Sequence, residues 1–275
     1  MLKNFTLSAI PKFRHFVSIF AATSLVVLAA FDCGADAERP SPPQVTITYL
    51  ANEGVMIDCA GQKILIDALF RDSVEDYMRH SPEQQERIET GKAPFEGVRL
   101  ALATHYHLDH WDAGAIARFL NNNPQAVFAS TPEATAILPY DLRTRVRALR
   151  PKPGSPAHVG AGGASAQAVR LGHDHTPNLG YRVSICGKVL AHLGDADVSE
   201  ASFVTLMQAG TVDVAMVPFW WLLESSSTKF ITQRWKPRET IALHLATNDS
   251  AYAQQLRTKF PQVWVCTKQG EARNF

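Results

Sequence analysis

The segment Thr104-His105-Tyr106-His107-Leu108-Asp109-His110-Trp111-Asp112 places three histidines and a carboxylate within six residues, directly after the apolar run Val98 to Ala103. Such a run reads as a β-strand, and the histidines lie at its end. Side chains two apart on an extended chain point to the same side, so His105 and His107 suit one cation. The turn that follows swings Asp109 and His110 toward a second. Two cations need two ligand sets and this loop supplies part of each, so the fold must bring further donors to the same strand end.

Those donors also sit where apolar runs end. Ala166 to Leu171 leads to Gly172-His173-Asp174-His175, Lys188 to Leu193 leads to Gly194-Asp195, and Thr240 to Leu243 leads to His244. Open α/β sheets gather ligands at the carboxyl ends of their strands, so four strand ends point at one site. Taken singly, His244 reads equally as a hydrogen-bonded core histidine and Asp195 as a turn residue. The company of the 105–110 loop makes them site candidates.

Helices alternate with these strands, which implies an α/β protein. Ser81 before Pro82 and Glu83 signals a helix start, Asp112 caps a helix over Ala113 to Leu120, and Pro132 to Leu138 reads as a further short one. Two hairpins echo each other. Gly54 to Cys59 turns at Gly61 into Lys63 to Asp67, and Tyr181 to Cys186 turns at Gly187 into Lys188 to Asp195. Each carries a cysteine at its turn and ends on an aspartate, which suggests two halves of related topology. Pro151 to Ser165, rich in Gly, Pro, Ala and Ser, reads as a loop or a short weak strand.

At the N-terminus, Lys3, Lys12 and Arg14 precede the uncharged stretch Phe16 to Phe31, and Ala35-Asp36-Ala37 offers a small-residue cleavage site. Residues 1–37 therefore read as a secretory signal and 38–275 as one domain with a sizeable core. The 16-residue stretch is short for a span of about 20, leaving an uncleaved signal anchor as the lesser alternative. Ala30-Phe31-Asp32 before Cys33 is a poor lipoprotein box. The whole chain holds 27 basic and 26 acidic residues; cleavage removes three and two, so the mature charges balance. A neutral chain without a basic cluster has no footprint for nucleic acid, and beyond the signal no segment suits a membrane. A small-molecule substrate is the expected partner, in the periplasm or outside the cell; oligomeric state is not legible. Three cysteines remain, Cys59, Cys186 and Cys266. Their odd count speaks against a disulfide framework, and Cys59 and Cys186, in apolar strand-like settings, read as buried small hydrophobes.

The series His105, His107, Asp109, His110 resembles the H-x-H-x-D-H hallmark of the metallo-β-lactamase fold superfamily of metallohydrolases. Asp67, Gly194-Asp195 and His244 fall in that family's order, so the resemblance spans nearly all of the mature chain. Asn178-Leu179-Gly180-Tyr181 ahead of His192-Leu193-Gly194-Asp195 is similar to a broad bacterial branch of lactonase- and phosphodiesterase-like members. The resemblance implies a four-layer αββα sandwich. It further implies that His105, His107 and His173 hold one divalent ion, that Asp109, His110 and His244 hold another, and that Asp195 bridges them. His175 is the alternative to His173, which is favoured because it follows the strand more closely. His192 and Asp67 are implied as supports that orient ligands rather than bind metal.

The implied activity is that of an exported dinuclear hydrolase in which water activated between two ions attacks an ester, lactone, amide or phosphodiester, Asp109 shuttling the proton. Imidazole and carboxylate donors without thiolate favour Zn2+ in an exported protein, with Mn2+ or Fe as alternatives. True β-lactamases lack the bridging aspartate, so β-lactam hydrolysis is the weaker reading despite the export signal. A non-catalytic metal carrier or sensor is a reading from another class. Redox chemistry at a di-iron version of the site needs an electron donor, and no flavin-binding domain follows His244. Pro218-Phe219-Trp220-Trp221-Leu222-Leu223 reads either as pocket wall or as core, Ser225 to Lys229 as a solvated loop or a mobile lip, and Lys229, Arg234 and Lys236 as possible anion receivers on a surface loop.

Overall fold

The computed structural model describes residues 43–74 and 76–275, so the expected signal over 1–37 lies outside the described residues. The first half runs β1 (Thr46–Ala51), β2 (Gly54–Cys59), β3 (Gln62–Ile66), α1 (Pro82–Thr90), β4 (Val98–Leu102), α2 (Ala113–Asn122), β5 (Val127–Ser130), α3 (Pro132–Ala136) and β6 (Val146–Ala148). The second runs β7 (Ala157–Ala161), β8 (Ala164–Leu171), β9 (Asn178–Ile185), β10 (Lys188–His192), α4 (Glu200–Ala209), β11 (Val214–Pro218), α5 (Trp220–Leu223), α6 (Ser225–Lys229), β12 (Glu239–Leu243), α7 (Ser250–Lys259), β13 (Trp264–Val265) and β14 (Ala272–Asn274). They form two mixed sheets, ordered β14-β1-β2-β3-β4-β5-β6 and β13-β12-β11-β10-β9-β8-β7.

The sheets stack because their strands are apolar on both faces, as strands covered on both sides must be. Val55 and Ile57 of β2, Val214 and Met216 of β11, and Ile241 and Leu243 of β12 point into the core between the sheets. Their neighbours face helices instead. Met56, Leu65 and Phe128 pack on Ile88, Ile116 and Phe119 of the first half, and Ala215, Val217 and Ala242 pack under Phe203, Trp221 and Leu256 of the second. The result is the expected αββα sandwich.

The helices begin where the sequence says they should. The Ser81 hydroxyl accepts the Gln84 N–H with Pro82 in the first turn, and the Asp112 carboxylate accepts the Ala115 N–H; each cap stabilises by about 1 kcal/mol. Of the two readings of Pro151 to Ser165, the short strand holds: it is β7, which pairs antiparallel with β8 and edges the second sheet. One expectation is corrected. Ser225 to Lys229 is helix α6 rather than a lip: Ser227 is fully buried, and the adjoining π-helical turn Phe230–Trp235 stacks Phe230 on Phe203 of α4. Arg234 in that turn pairs with Glu200, so it is not an anion receiver over the site.

The hairpin echo extends to whole halves. Strands β1 to β6 pair antiparallel, antiparallel, then parallel three times, and β8 to β13 repeat that series. The cysteine reading is overturned here: Cys59 and Cys186 form a disulfide across 127 residues of sequence. Cys59 closes β2, and Cys186 opens the Cys186-Gly187 turn that matches Ala60-Gly61. Related halves stacked face to face bring equivalent hairpin corners together, which counting cysteines does not reveal. Only Cys266 stays free among the described residues.

His80 ties α1 to the loops beside the strand ends. Its Nε2–H donates to the Ala68 carbonyl, and the Gln84 amide donates to both His80 Nδ1 and the Leu50 carbonyl. Burial depresses this imidazole from 6.5 to about 4. The folded form thus refuses a proton that the unfolded chain accepts, and stability present above pH 6.5 is lost as pH falls toward 4, by about 3 kcal/mol. In urea unfolding at pH 7 and pH 4.5, His80→Gln should narrow the difference between the two pH values. Separately, Cys59→Ser/Cys186→Ser should lower stability by about 2–5 kcal/mol, the range expected for a long closed loop.

Candidate metal centre

All seven expected ligand residues meet at one edge, above the carboxyl ends of the parallel strands: His105, His107, His173 and Asp195 form one group and Asp109, His110 and His244 another, which Asp195 also faces. His105 Nε2, His107 Nδ1 and His173 Nε2 surround Asp195 Oδ2: His105 and His173 lie 3.7 and 3.6 Å from it, and His173 Nε2 is 3.3 Å from His107 Nδ1. His110 Nε2 and His244 Nε2 face Asp195 Oδ1 at 3.2 and 3.1 Å, and both stand 3.6 Å from Asp109 Oδ2. One carboxylate therefore presents each oxygen to a separate cluster. His175 is exposed and lies outside both clusters, whereas His173 lies within one of them.

Why the chain bends here is visible in its backbone. Asn52 after β1, Asp67 after β3, Gly194 after β10 and His244 after β12 all take positive φ, from 48° to 64°. For non-glycine residues this conformation costs about 1 kcal/mol each, and the strained turns cluster at the site edge. Glycine is obligatory at two of the neighbouring positions. A Cβ on Gly194 would lie 2.5 Å from Asn178 Oδ1 and 2.7 Å from Thr104 Cβ, and one on Gly54 would lie 2.7 Å from the Asp67 carbonyl.

Around the clusters, other side chains hold the ligands at their far atoms. Asp67 accepts from the Thr104 N–H and hydroxyl at 2.7 Å and faces His110 Nδ1 at 3.0 Å. Thr104 Oγ1 lies 3.0 Å from His105 Nδ1, and Thr176 Oγ1 lies 3.1 Å from His107 Nε2. Asn52 Nδ2 donates to Asp109 Oδ2 at 2.9 Å. His192 does not join the clusters above it. Its Nε2–H donates to the Glu53 carbonyl and its Nδ1 accepts from the Gly194 N–H, so it fixes the β1–β2 turn under Asp195.

Sequence reasoning found Asp67 and His192 but missed Asn52, Glu53, Thr104 and Thr176. Asn52-Glu53 looks like an ordinary turn, and the sole signal was a carboxylate and an amide wedged between two apolar strands. Glu53 is 1 % exposed and its carboxylate oxygens have no hydrogen-bond partner among the described residues. Burial, with the charges of nearby Asp195, holds its carboxyl well above the usual range.

The donor set fits metal. His105 Nε2, His110 Nε2, His244 Nε2 and Asp195 Oδ1 are all buried without a hydrogen-bond partner, although buried polar atoms normally have one. These orphans aim at one another. Burial alone would depress His110, but the carboxylates of Asp195, Asp67 and Asp109 outweigh it and lift that imidazole well above its ordinary value. Positive charge is what this position favours. For Asp195, burial would raise the carboxyl, yet His110 and His244 pull it well below the usual range.

Aromatic side chains flank one side. Tyr77 and Trp220 set their rings edge-on to His244, at 4.4 and 5.2 Å, while Trp221 and Leu222 are core. Tyr106 and Leu108 project from the histidine loop with 38 % and 56 % exposure.

A family model described as a β-lactamase superfamily domain matches residues 62–253, and the chain belongs to that family, within the metallo-β-lactamase superfamily of metal-dependent hydrolases. Among solved structures, it is similar to Igni18, a metallo hydrolase from Ignicoccus hospitalis, at 20 % identity and TM-score 0.59, covering 84 % of this chain and 98 % of that one. YhfI, a metallo-β-lactamase fold protein from Bacillus subtilis, matches at 14 % identity and TM-score 0.58, over 85 % and 100 % of the two chains. CmlA, a diiron β-hydroxylase from Streptomyces venezuelae, matches at 12 % identity and TM-score 0.54, over 86 % of this chain and 55 % of its own. At these identities the likeness is one of fold. No curated protein matches the chain.

Because Asp67 braces both His110 and the Thr104 turn, Asp67→Ala should weaken metal retention by about 10–100-fold. Competition with a chromophoric chelator measures this directly, and unchanged affinity would show that Asp67 only caps a strand.

Proposed function

We propose that this protein is an exported dinuclear hydrolase that cleaves an ester, lactone or phosphodiester of a small molecule, with His105, His107, His173 and Asp195 as one ligand set and Asp109, His110, His244 and Asp195 as the other. The observation that carries this reading is Asp195, whose two oxygens each face a different group of imidazole nitrogens, those of His105, His110 and His244 being buried without a hydrogen-bond partner. Export is supported by the N-terminal signal pattern and by the Cys59–Cys186 disulfide, a bond favoured in oxidising compartments. Zinc suits the imidazole and carboxylate donors best.

When bound, a pair of divalent ions lowers the pKa of a shared water and polarises the electrophilic oxygen of the substrate. The protein's own share is positional. The Asn52 amide fixes the Asp109 carboxylate at the strand end, where it takes the proton of the attacking water and passes it to the leaving group. Thr104, Thr176 and Asp67 hold their histidines in one ring orientation, so the donors need no rearrangement during turnover. Tyr77 and Trp220 shield His244 and offer an apolar wall to the substrate beside it.

On metal-loaded protein, His107→Ala and Asp109→Asn should each cut kcat for a responsive ester, lactone or cyclic phosphodiester by at least about 100-fold, with circular dichroism unchanged. Metal bound at full stoichiometry with no turnover across those three substrate classes would instead favour the carrier reading.

A further inference from the structure

A cavity outside the metal centre, lined by none of its expected ligands, lies on the second sheet. It encloses about 440 Å³ where the Lys152–Pro156 loop crosses β8 toward the end of α4, and Lys152, Arg170 and Arg182 line it together with Gln167, Thr205 and Gln208. No carboxylate lines it. Several arginines elsewhere carry a carboxylate partner: Arg71 and Arg118 lie on Glu89, Arg87 on Glu83, Arg234 on Glu200 and Arg238 on Asp213. Lys152, Arg170 and Arg182 have no such partner among the described residues. Arg182 is half-buried and anchored, its Nη2 donating to the Thr211 carbonyl at 3.3 Å, so part of the entropy of ordering it is already spent on folding.

Three cations without a carboxylate partner around one concavity form a receptor for negative charge. The guanidinium fork matches phosphate oxygens. We propose that this cleft is a binding site for a phosphate-type anion.

Its place relative to the metal centre suggests what brings the anion there. Arg170 also lines a second cavity of about 170 Å³, with Arg150, Glu133, Thr131 and Pro177. Pro177 follows Thr176, which bonds His107. Arg170 precedes His173 by three residues, about 10 Å along an extended strand. Over that span a phosphorylated tail on a substrate held at the metals would meet Arg170, and a free anion would meet it from solvent. Assigning the anion to the substrate rests on the hydrolase reading; the anion site itself does not.

Calorimetric titration of metal-free protein with inorganic pyrophosphate tests the site apart from any activity. Saturable binding is expected, weakened at least about tenfold by Lys152→Ala/Arg170→Ala, weakened by Arg182→Gln, unchanged by Lys259→Ala on α7, and falling as salt rises. Absence of saturable binding, or equal binding by the double variant with unaltered circular dichroism, would overturn the proposal. The source is then read on the metal-loaded enzyme with a neutral and a phosphorylated ester. A rise in KM for the phosphorylated ester alone identifies the substrate's own group, and pyrophosphate altering turnover of the neutral ester identifies a free anion. Should neither ester turn over, the hydrolase reading falls while the calorimetric result stands.

Discussion

Asp195 is the interaction on which the rest depends. Its carboxylate is almost wholly buried, with imidazole nitrogens on both oxygens, and such a group is tolerable in a protein interior only when positive charge lies against it. The protein alone meets that need by holding a proton on His110. Divalent cations meet it better, because they also satisfy the nitrogens of His105, His110 and His244 that otherwise lack partners. The cluster is therefore built against its own repulsions, and the strand ends beneath it must be rigid enough to sustain them.

That rigidity comes from a repeated half. β3 ends in Asp67 and β10 leads through His192 and Gly194 to Asp195, so equivalent strands of the two sheets deliver one carboxylate as brace and the other as bridge. Asp67 reaches Thr104 and His110 within the first half, while His192 and Thr176 of the second reach the β1–β2 turn and His107, so the second half braces ligands held by the first. At the far edge the hairpin corners are locked by Cys59–Cys186. Sliding of one sheet over the other is opposed at both edges, which keeps ligands from distant parts of the chain within bonding reach.

Much of this was legible in the sequence, for identifiable reasons. The ligands lie at the ends of apolar runs, and strand ends in such sheets converge, so His105, His107, Asp109, His110, His173, Asp195 and His244 could be assembled before any coordinates. The caps at Ser81 and Asp112 were equally plain. What escaped was whatever depends on the stacking of the sheets. The disulfide pairs residues remote in sequence, Glu53 hides in a turn whose composition is ordinary, and Ser225 to Lys229 is helical because Phe230 beside it packs on α4. The cationic cleft escaped for the same reason, since Lys152, Arg170 and Arg182 meet only once β8 and β9 pair and the preceding loop folds over them.

The most direct measurement of the central claim is anomalous diffraction from crystals of protein purified with its native metal. The account predicts two peaks on either side of Asp195, about 3.5–4 Å apart, one against His105, His107 and His173 and the other against Asp109, His110 and His244. A single peak, or none at the carboxylate, would contradict it.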